Sequence, residues 1–282
     1  MAEPTIQHIS DTARWSAVYR ARETVRKDAL FRDPFARRLA GDRGEEIAKA
    51  LPFHEKGAWS WVTRTYLFDR IISQQIAGGA DMVVNLAAGL DARPYRTTVP
   101  PSLKWVEVDL PGILDYKESL LKDEKPLCAL ERVRADLADA ESRRALFSRL
   151  NNEARNALVV SEGLLIYLPA NEAATFAQDL RSFPAFRRWT FDIVSPPLLK
   201  MLQKNTHQQF GSDVVPLQFA PDDGPDFFTR HGWKMLEVNS MLKTAASLQR
   251  LPFMLKFFAL FPENEQNRLK RPWSAVCLAE PA

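Results

Sequence analysis

Four polar side chains stand at, or within two residues of, the ends of short apolar runs: Asn85, Asp109, Asp136 and Glu162. If those runs are parallel strands, their carboxyl ends line the crevice where an open α/β sheet binds its ligand. Asp109 follows the turn at Gly89 by about 20 residues, the spacing at which an acidic side chain accepts ribose hydroxyls in nucleoside-binding folds. Glu107, on the same strand face, is the fallback acceptor, and a helix cap before Pro111 is the structural alternative for Asp109. Asp136 can accept an exocyclic amine while Leu137 packs against the ring, although Ala135–Ala140 also suits a helix start. Glu162 lies in so apolar a stretch that burying it unpaired is costly, so it should meet a cation or a ligand amine. Arg64 offers a planar fork for a carboxylate, against the alternative of an exposed helix surface.

These groups need elements to hold them. The first ~80 residues read as helical: Thr12–Arg26, a helix opened by Pro34 at Phe35, and Trp59–Ile76. Short β-branched runs then alternate with helical patterns, as βαβ units do. The expected strands are Met82–Leu86, Lys104–Asp109, Arg132–Asp136, Ala157–Glu162, Trp189–Val194, Lys234–Val238 and Ser274–Ala279. Seven strands and their helices predict a doubly wound, Rossmann-like α/β fold in one domain over 1–282. It carries a helical N-terminal cap over 1–80 and a lid insertion over 196–225, after strand five.

Composition narrows the class. The 282 residues carry 38 basic and 35 acidic side chains, and no basic stripe marks a nucleic-acid partner. Cys128 and Cys277 lie far apart, with no Cys or His at metal spacing, so neither a disulfide framework nor a metal site is expected. No basic segment leads into an apolar core at the N-terminus, and no run reaches ~18 apolar residues. The expectation is a cytoplasmic enzyme with no membrane partner; oligomeric state is not legible.

The turn Asn85-Leu-Ala-Ala-Gly89-Leu-Asp-Ala-Arg93 holds one glycine where a dinucleotide fingerprint needs G-x-G-x-x-G. That counts against a nicotinamide oxidoreductase. The inventory is a ribose acceptor, an adenine contact, an amine partner and a carboxylate clamp, without a pyrophosphate loop. S-adenosylmethionine has those groups and no phosphate.

Arg22-Glu23-Thr24, Phe31-Arg-Asp-Pro-Phe-Ala36, Arg64-Thr-Tyr-Leu-Phe-Asp69, the turn at 85–93, Glu107-Val-Asp-Leu-Pro111 and Glu162-Gly-Leu-Leu-Ile-Tyr-Leu-Pro169 occur in this order. Together they resemble the leucine carboxyl methyltransferase family of class I S-adenosylmethionine-dependent methyltransferases, from about residue 12 to about 170. The resemblance implies a seven-stranded methyltransferase sheet and S-adenosylhomocysteine as product. It places Arg64 on the methionine carboxylate, Gly89 against the methionine part, Asp109 on the ribose, Asp136 and Leu137 at the adenine, and Glu162 at the methionine end. Eukaryotic members that methylate a phosphatase C-terminus carry a cofactor-contacting lysine before the Asp-Pro motif. Lys27 does not align with it, so the bacterial branch, with its tetracenomycin-type polyketide O-methyltransferases, is the closer match.

A carboxylate acceptor is ionised at neutral pH, whereas a phenol of pKa ~10 gains from a base. His231 reads as structural, His8 and His54 have no evident partner, and His207 in the insertion is the one candidate base. The expected activity is O-methylation of a small-molecule carboxylate. A phenol or hydroxyl acceptor and a non-catalytic binding protein are the alternatives. Tyr167, Tyr19 and Arg22 are candidates for the acceptor pocket. The most apolar segment, Leu251–Phe261, reads as a core or lid helix, then as a wall for a hydrophobic acceptor, and only last as a membrane contact.

Overall fold

The computed structural model describes residues 9–50, 57–210, 216–263 and 269–282, with the side chains of 9, 10 and 206–210 excepted. The chain opens with α1 (Ile9–Thr24), α2 (Ala36–Ala50) and α3 (Ala58–Ala77). Then follow β1 (Met82–Leu86), α4 (Arg93–Arg96), β2 (Lys104–Asp109), α5 (Pro111–Leu121), β3 (Ala129–Arg134), α6 (Ala140–Glu153) and β4 (Ala157–Ser161). A 3-10 turn at Leu165–Tyr167 leads into α7 (Ala170–Arg181), β5 (Phe186–Val194), α8 (Pro196–Phe210) and α9 (Asp226–Thr229). The last elements are β6 (Trp233–Ser240), α10 (Met241–Ser247), α11 (Phe253–Ala259) and β7 (Ser274–Pro281).

The seven strands form one sheet in the order β3-β2-β1-β4-β5-β7-β6. β1 to β5 pair in parallel, and β7 is inserted antiparallel between β5 and β6. Chain direction reverses its march at β1 and β4, the switch point where such sheets open a crevice. The interior place of β7 follows from Ala275–Ala279, an unbroken apolar run buried on both faces. β6 interleaves Lys234 and Glu237 with apolar residues and takes an edge. The third strand differs from expectation. It runs Ala129–Arg134 because it pairs with all of β2, Lys104 opposite Ala129 through Asp109 opposite Arg134, which leaves Asp136 in the following loop.

On one sheet face, Phe147 of α6 and Phe176 of α7 pack edge-on, and Phe147 also meets Phe186 of β5. On the other, Leu67, Phe68, Ile71 and Ile72 of α3 cover Val83, Trp105 and Leu158. α1 and α2 form a third cluster with Leu90, Ala92 and Tyr95 of the β1–β2 connection, so the N-terminal helices sit over the carboxyl edge. Cys128 and Cys277 are both buried and form no disulfide. No helix among the described residues is long and apolar enough to cross a membrane.

The segment 251–261 corrects its first reading. Leu251 is buried, but α11 buries none of its residues and so is not a core helix. Lys256 is the one polar side chain of this seven-residue helix, so most of what it turns outward is aromatic or aliphatic.

Phe147→Ala is expected to lower the unfolding free energy by ~3–5 kcal/mol in urea titrations, since it removes a ring shared by three others. A loss under ~1 kcal/mol would mean that the cluster repacks around the gap.

Candidate functional site

The turn after β1 is built for close approach. Ala87 and Gly89 both adopt left-handed φ, +57° and +49°, and the half-buried Gly89 N–H donates to Asp109 Oδ2 at 2.6 Å. The Leu110 N–H donates to the other oxygen at 2.8 Å. Asp109 does not cap α5, whose N-cap position is Leu110. Burial pushes its carboxyl above the usual carboxylate range, although both backbone donors and Lys117 pull the other way. Glu107, the fallback acceptor, is not open to that role: its buried oxygens meet Lys117 Nζ at 2.7 Å and Arg132 Nε at 2.9 Å.

A second group joins α3, the β1 turn, β4 and β5. Arg64 donates through Nε to Glu162 at 3.2 Å and through Nη1 to Asp192 at 3.4 Å, with its guanidinium 4.7 Å over the Trp61 ring. It is therefore no exposed surface arginine. Burial disfavours its charge, but Asp192 and Glu162 outweigh that and raise its pKa. The other Glu162 oxygen lies 2.9 Å from Arg93 Nη1. Arg93 is 2% exposed and also holds Asp69 at 2.6 Å and Asp91 at 2.9 Å. Burial would raise Asp91, yet the cations of Arg93, Lys117 and Arg96 hold it well below the usual range. Asn85 donates to the same Asp91 oxygen at 2.8 Å, so its task is to brace the turn.

Sequence reasoning missed Asp192. It accepts the Gly163 N–H at 2.6 Å as well as the Arg64 contact, and burial raises its pKa more than Arg64 lowers it. The signal was present: a carboxylate inside Trp189-Thr-Phe-Asp-Ile-Val194 is as costly to bury alone as Glu162. Gly163 has φ +70°, and a Cβ there would come within 3.2 Å of Arg64 Nη1, so this glycine makes room for the guanidinium.

The other candidates lie around these two groups. Asp136 is exposed and accepts the Ala138 N–H at 2.9 Å. Leu137 lines a small recess with Leu164, Leu168 and Phe176, and its carbonyl accepts from Arg143 at 2.6 Å. Tyr167 is hydrogen-bonded to Thr12, and burial pushes its hydroxyl pKa up. Tyr19 is buried one ring behind the group, stacked on Trp61 at 6.0 Å with its hydroxyl accepting from Trp15. Arg22 pairs with Glu45 at 3.4 Å and stands over the Tyr19 ring at 5.7 Å. Tyr19 thus packs on the ring that Arg64 covers, and Arg22 stands over Tyr19.

His231 meets Gln178 at 3.2 Å at the start of β6, the opposite edge of the sheet, as a structural residue would. His8 and His54 lie outside the described residues, and of His207 only the backbone position on α8 is described. The chain returning after α8 is tied to the turn that follows Glu162: the N–H groups of Gln218 and Phe219 both donate to the Ile166 carbonyl.

The sequence model of the family described as leucine carboxyl methyltransferase matches residues 13–180. Relatives include a protein of Streptomyces coelicolor, 31% identical over 79% of this chain and 82% of its own. Another, from Frankia alni, is 31% identical over 85% of this chain and 88% of its own. Both bear the name "putative S-adenosyl-L-methionine-dependent methyltransferase". Among solved structures, a DUF574 family protein of Streptomyces avermitilis superposes with a TM-score of 0.61 over 96% of this chain and 97% of its own, at 13% identity. A protein of Thermobifida fusca titled a putative methyltransferase reaches 0.57 over 99% and 95%, at 18% identity. At those identities they show a shared fold.

Arg93→Met is expected to destabilise the protein by ~3–5 kcal/mol in urea unfolding, because Asp69, Asp91 and Glu162 lose a buried counter-charge together. A near-neutral result would show that the carboxylates find protons or water in its place.

Proposed function

The chain belongs to the leucine carboxyl methyltransferase family and is an S-adenosyl-L-methionine-dependent methyltransferase; from that premise we propose that it methylates oxygen, on the carboxylate of a small, polyketide-like acceptor. The observation that carries the cofactor assignment within the site is the Arg64–Glu162 pair, 3.2 Å apart on the carboxyl edge. A guanidinium beside a carboxylate is the charge complement of an α-amino acid, with Arg64 for the carboxylate and Glu162 for the ammonium. The donor set fits the rest of the cofactor. Asp109, fixed by two backbone N–H groups, would accept the ribose hydroxyls, Gly89 would lie against the methionine part, and Asp136 and Leu137 would meet the adenine.

When bound, the cofactor supplies a methyl group on a sulfonium, transferred by in-line displacement. The chain's part is then alignment and exclusion of water, which fixed groups do well. Asp192 and Trp61 hold Arg64 in place, and α1 packs over the β1 turn, with Ala13 at 3.4 Å from a Cβ at Gly89. α8 and the segment after it, tied to the turn beyond Glu162, would serve as the lid. A carboxylate acceptor needs no base, and among the described side chains on this edge none is a histidine. A phenol acceptor would look to His207.

The test is calorimetry with S-adenosylhomocysteine, with NAD⁺ as control, followed by labelled methyl transfer to carboxylic acids and phenols. Micromolar binding abolished by Asp109→Ala is expected, with product that releases methanol in base as an ester does. Base-stable product would mean a phenol or hydroxyl acceptor, and binding without turnover on any acceptor would favour a binding protein.

The raised pKa of Asp109 gives the pH dependence its sign. Its ionised form accepts the ribose, so affinity falls as pH drops through that pKa, by up to about tenfold per unit, beginning above the ordinary value of ~3.9. Asp109→Asn is expected to bind at least about tenfold more weakly and to lose this acid limb.

A further inference from the structure

α11 is out of keeping with the rest of the surface. Phe253 is 88% exposed, Met254 83% and Leu260 80%, and Phe257 and Phe258 are exposed beside them. Soluble proteins rarely leave such a contiguous apolar patch without a use. Side chains this exposed project into solvent and enclose no acceptor cleft among the described residues.

The charge around the patch says what it fits. Residues 241–273 carry six basic side chains and two acidic ones, an excess of four, while the whole chain has a net charge of +3. Even with Arg250 set aside, since it pairs with Glu23 and Asp28, the excursion carries more basic than acidic side chains. Lys243, Lys256, Lys270 and Arg271 are exposed, and the Arg271 guanidinium lies 5.7 Å over the Phe261 ring at the edge of the patch. Glu263 is turned inward to Ser240 and Trp273, with hydrogen bonds of 2.8 and 3.1 Å. An apolar helix with exposed lysines fits a surface that is apolar within and negative at its face. A second copy fits poorly, since a two-fold contact would set lysine against lysine.

The excursion also has a fixed place. β6 ends at Ser240 and β7 begins at Ser274, both level with the end of β5 on the carboxyl edge. Arg250, just before α11, is locked to Glu23 of α1 at 2.9 Å and to Asp28 at 2.9 Å, so the helix stands beside the N-terminal cap.

We propose that α11 and its basic rim dock the protein on an anionic lipid surface, bringing the carboxyl edge of the sheet next to the bilayer. The apolar side chains enter the headgroup boundary, and Lys256 reaches back to lipid phosphates as long basic side chains do.

Co-sedimentation with phosphatidylglycerol–phosphatidylcholine vesicles tests this, with pure phosphatidylcholine vesicles as reference. The wild-type chain is expected to bind the anionic vesicles at least about tenfold more tightly, and to be released by high salt. Phe253→Ser with Met254→Ser and Leu260→Ser should abolish binding, and Lys256→Glu with Lys270→Glu should remove the preference for anionic lipid. Both variants should keep the wild-type S-adenosylhomocysteine affinity, which separates this outcome from any failure of the cofactor assignment. Absence of wild-type binding overturns the proposal, as does equal binding to both vesicle types. A dimer in sedimentation velocity that the triple variant dissolves also overturns it, because the patch would then join two copies.

Discussion

Arg93 sits almost wholly buried among Asp69, Asp91 and Glu162, and the carboxyl edge of the sheet is organised around that charge. A guanidinium removed from water costs several kcal/mol unless carboxylates surround it, and each of those carboxylates is equally dependent on a cation. The three come from α3, from the turn after β1 and from the end of β4, so the charge balance locks these elements in one geometry. Glu162 is shared: one oxygen serves Arg93 and the other faces Arg64. Its orientation beside Arg64 is therefore held by Arg93 from the other side.

The N-terminal helices extend the same arrangement. Arg20 of α1 donates to Asp33 at 2.9 Å and to the Leu90 carbonyl at 2.6 Å, which ties the cap to the β1 turn. Asp33 also receives the Phe35 N–H just before α2. The conspicuous motifs of the first third are thus largely scaffolding. Glu23 accepts the Leu30 N–H and holds Arg250, and Thr24 accepts the Asp33 N–H. Their chemistry is that of a cap pinned over a crevice, and they act on the site by fixing what presses on it.

Two neighbouring carboxylates on β2 show how environment separates residues of similar type. Glu107 and Asp109 share a strand face, but Lys117 and Arg132 saturate the first, while the second ends the strand against backbone N–H groups. The same reasoning distinguishes Glu162 and Asp192, which bracket Arg64. Only one of them stands at a strand end in sequence. The other lies two residues inside β5 and reaches the same level because β4 and β5 pair in parallel, Ser161 opposite Phe191.

The sequence by itself determined the alternation of strand and helix and the ends of β1 and β2, because burial on both faces imposes apolar runs and turns require polar punctuation; the family was legible from the ordered motifs between residues 22 and 169. Asp109 and Glu162 stood out as candidates for that reason, whereas Arg64, on a helix, stood out through the motif resemblance. Tertiary structure decided what local pattern does not encode. It gave β7 its antiparallel place between β5 and β6, since strand order depends on which apolar runs bury best together. It assigned Glu107 to a buried ion cluster, and it brought Asp192 to Arg64 across 128 residues. It also turned the most apolar segment outward, because whether an apolar helix is covered depends on what folds against it.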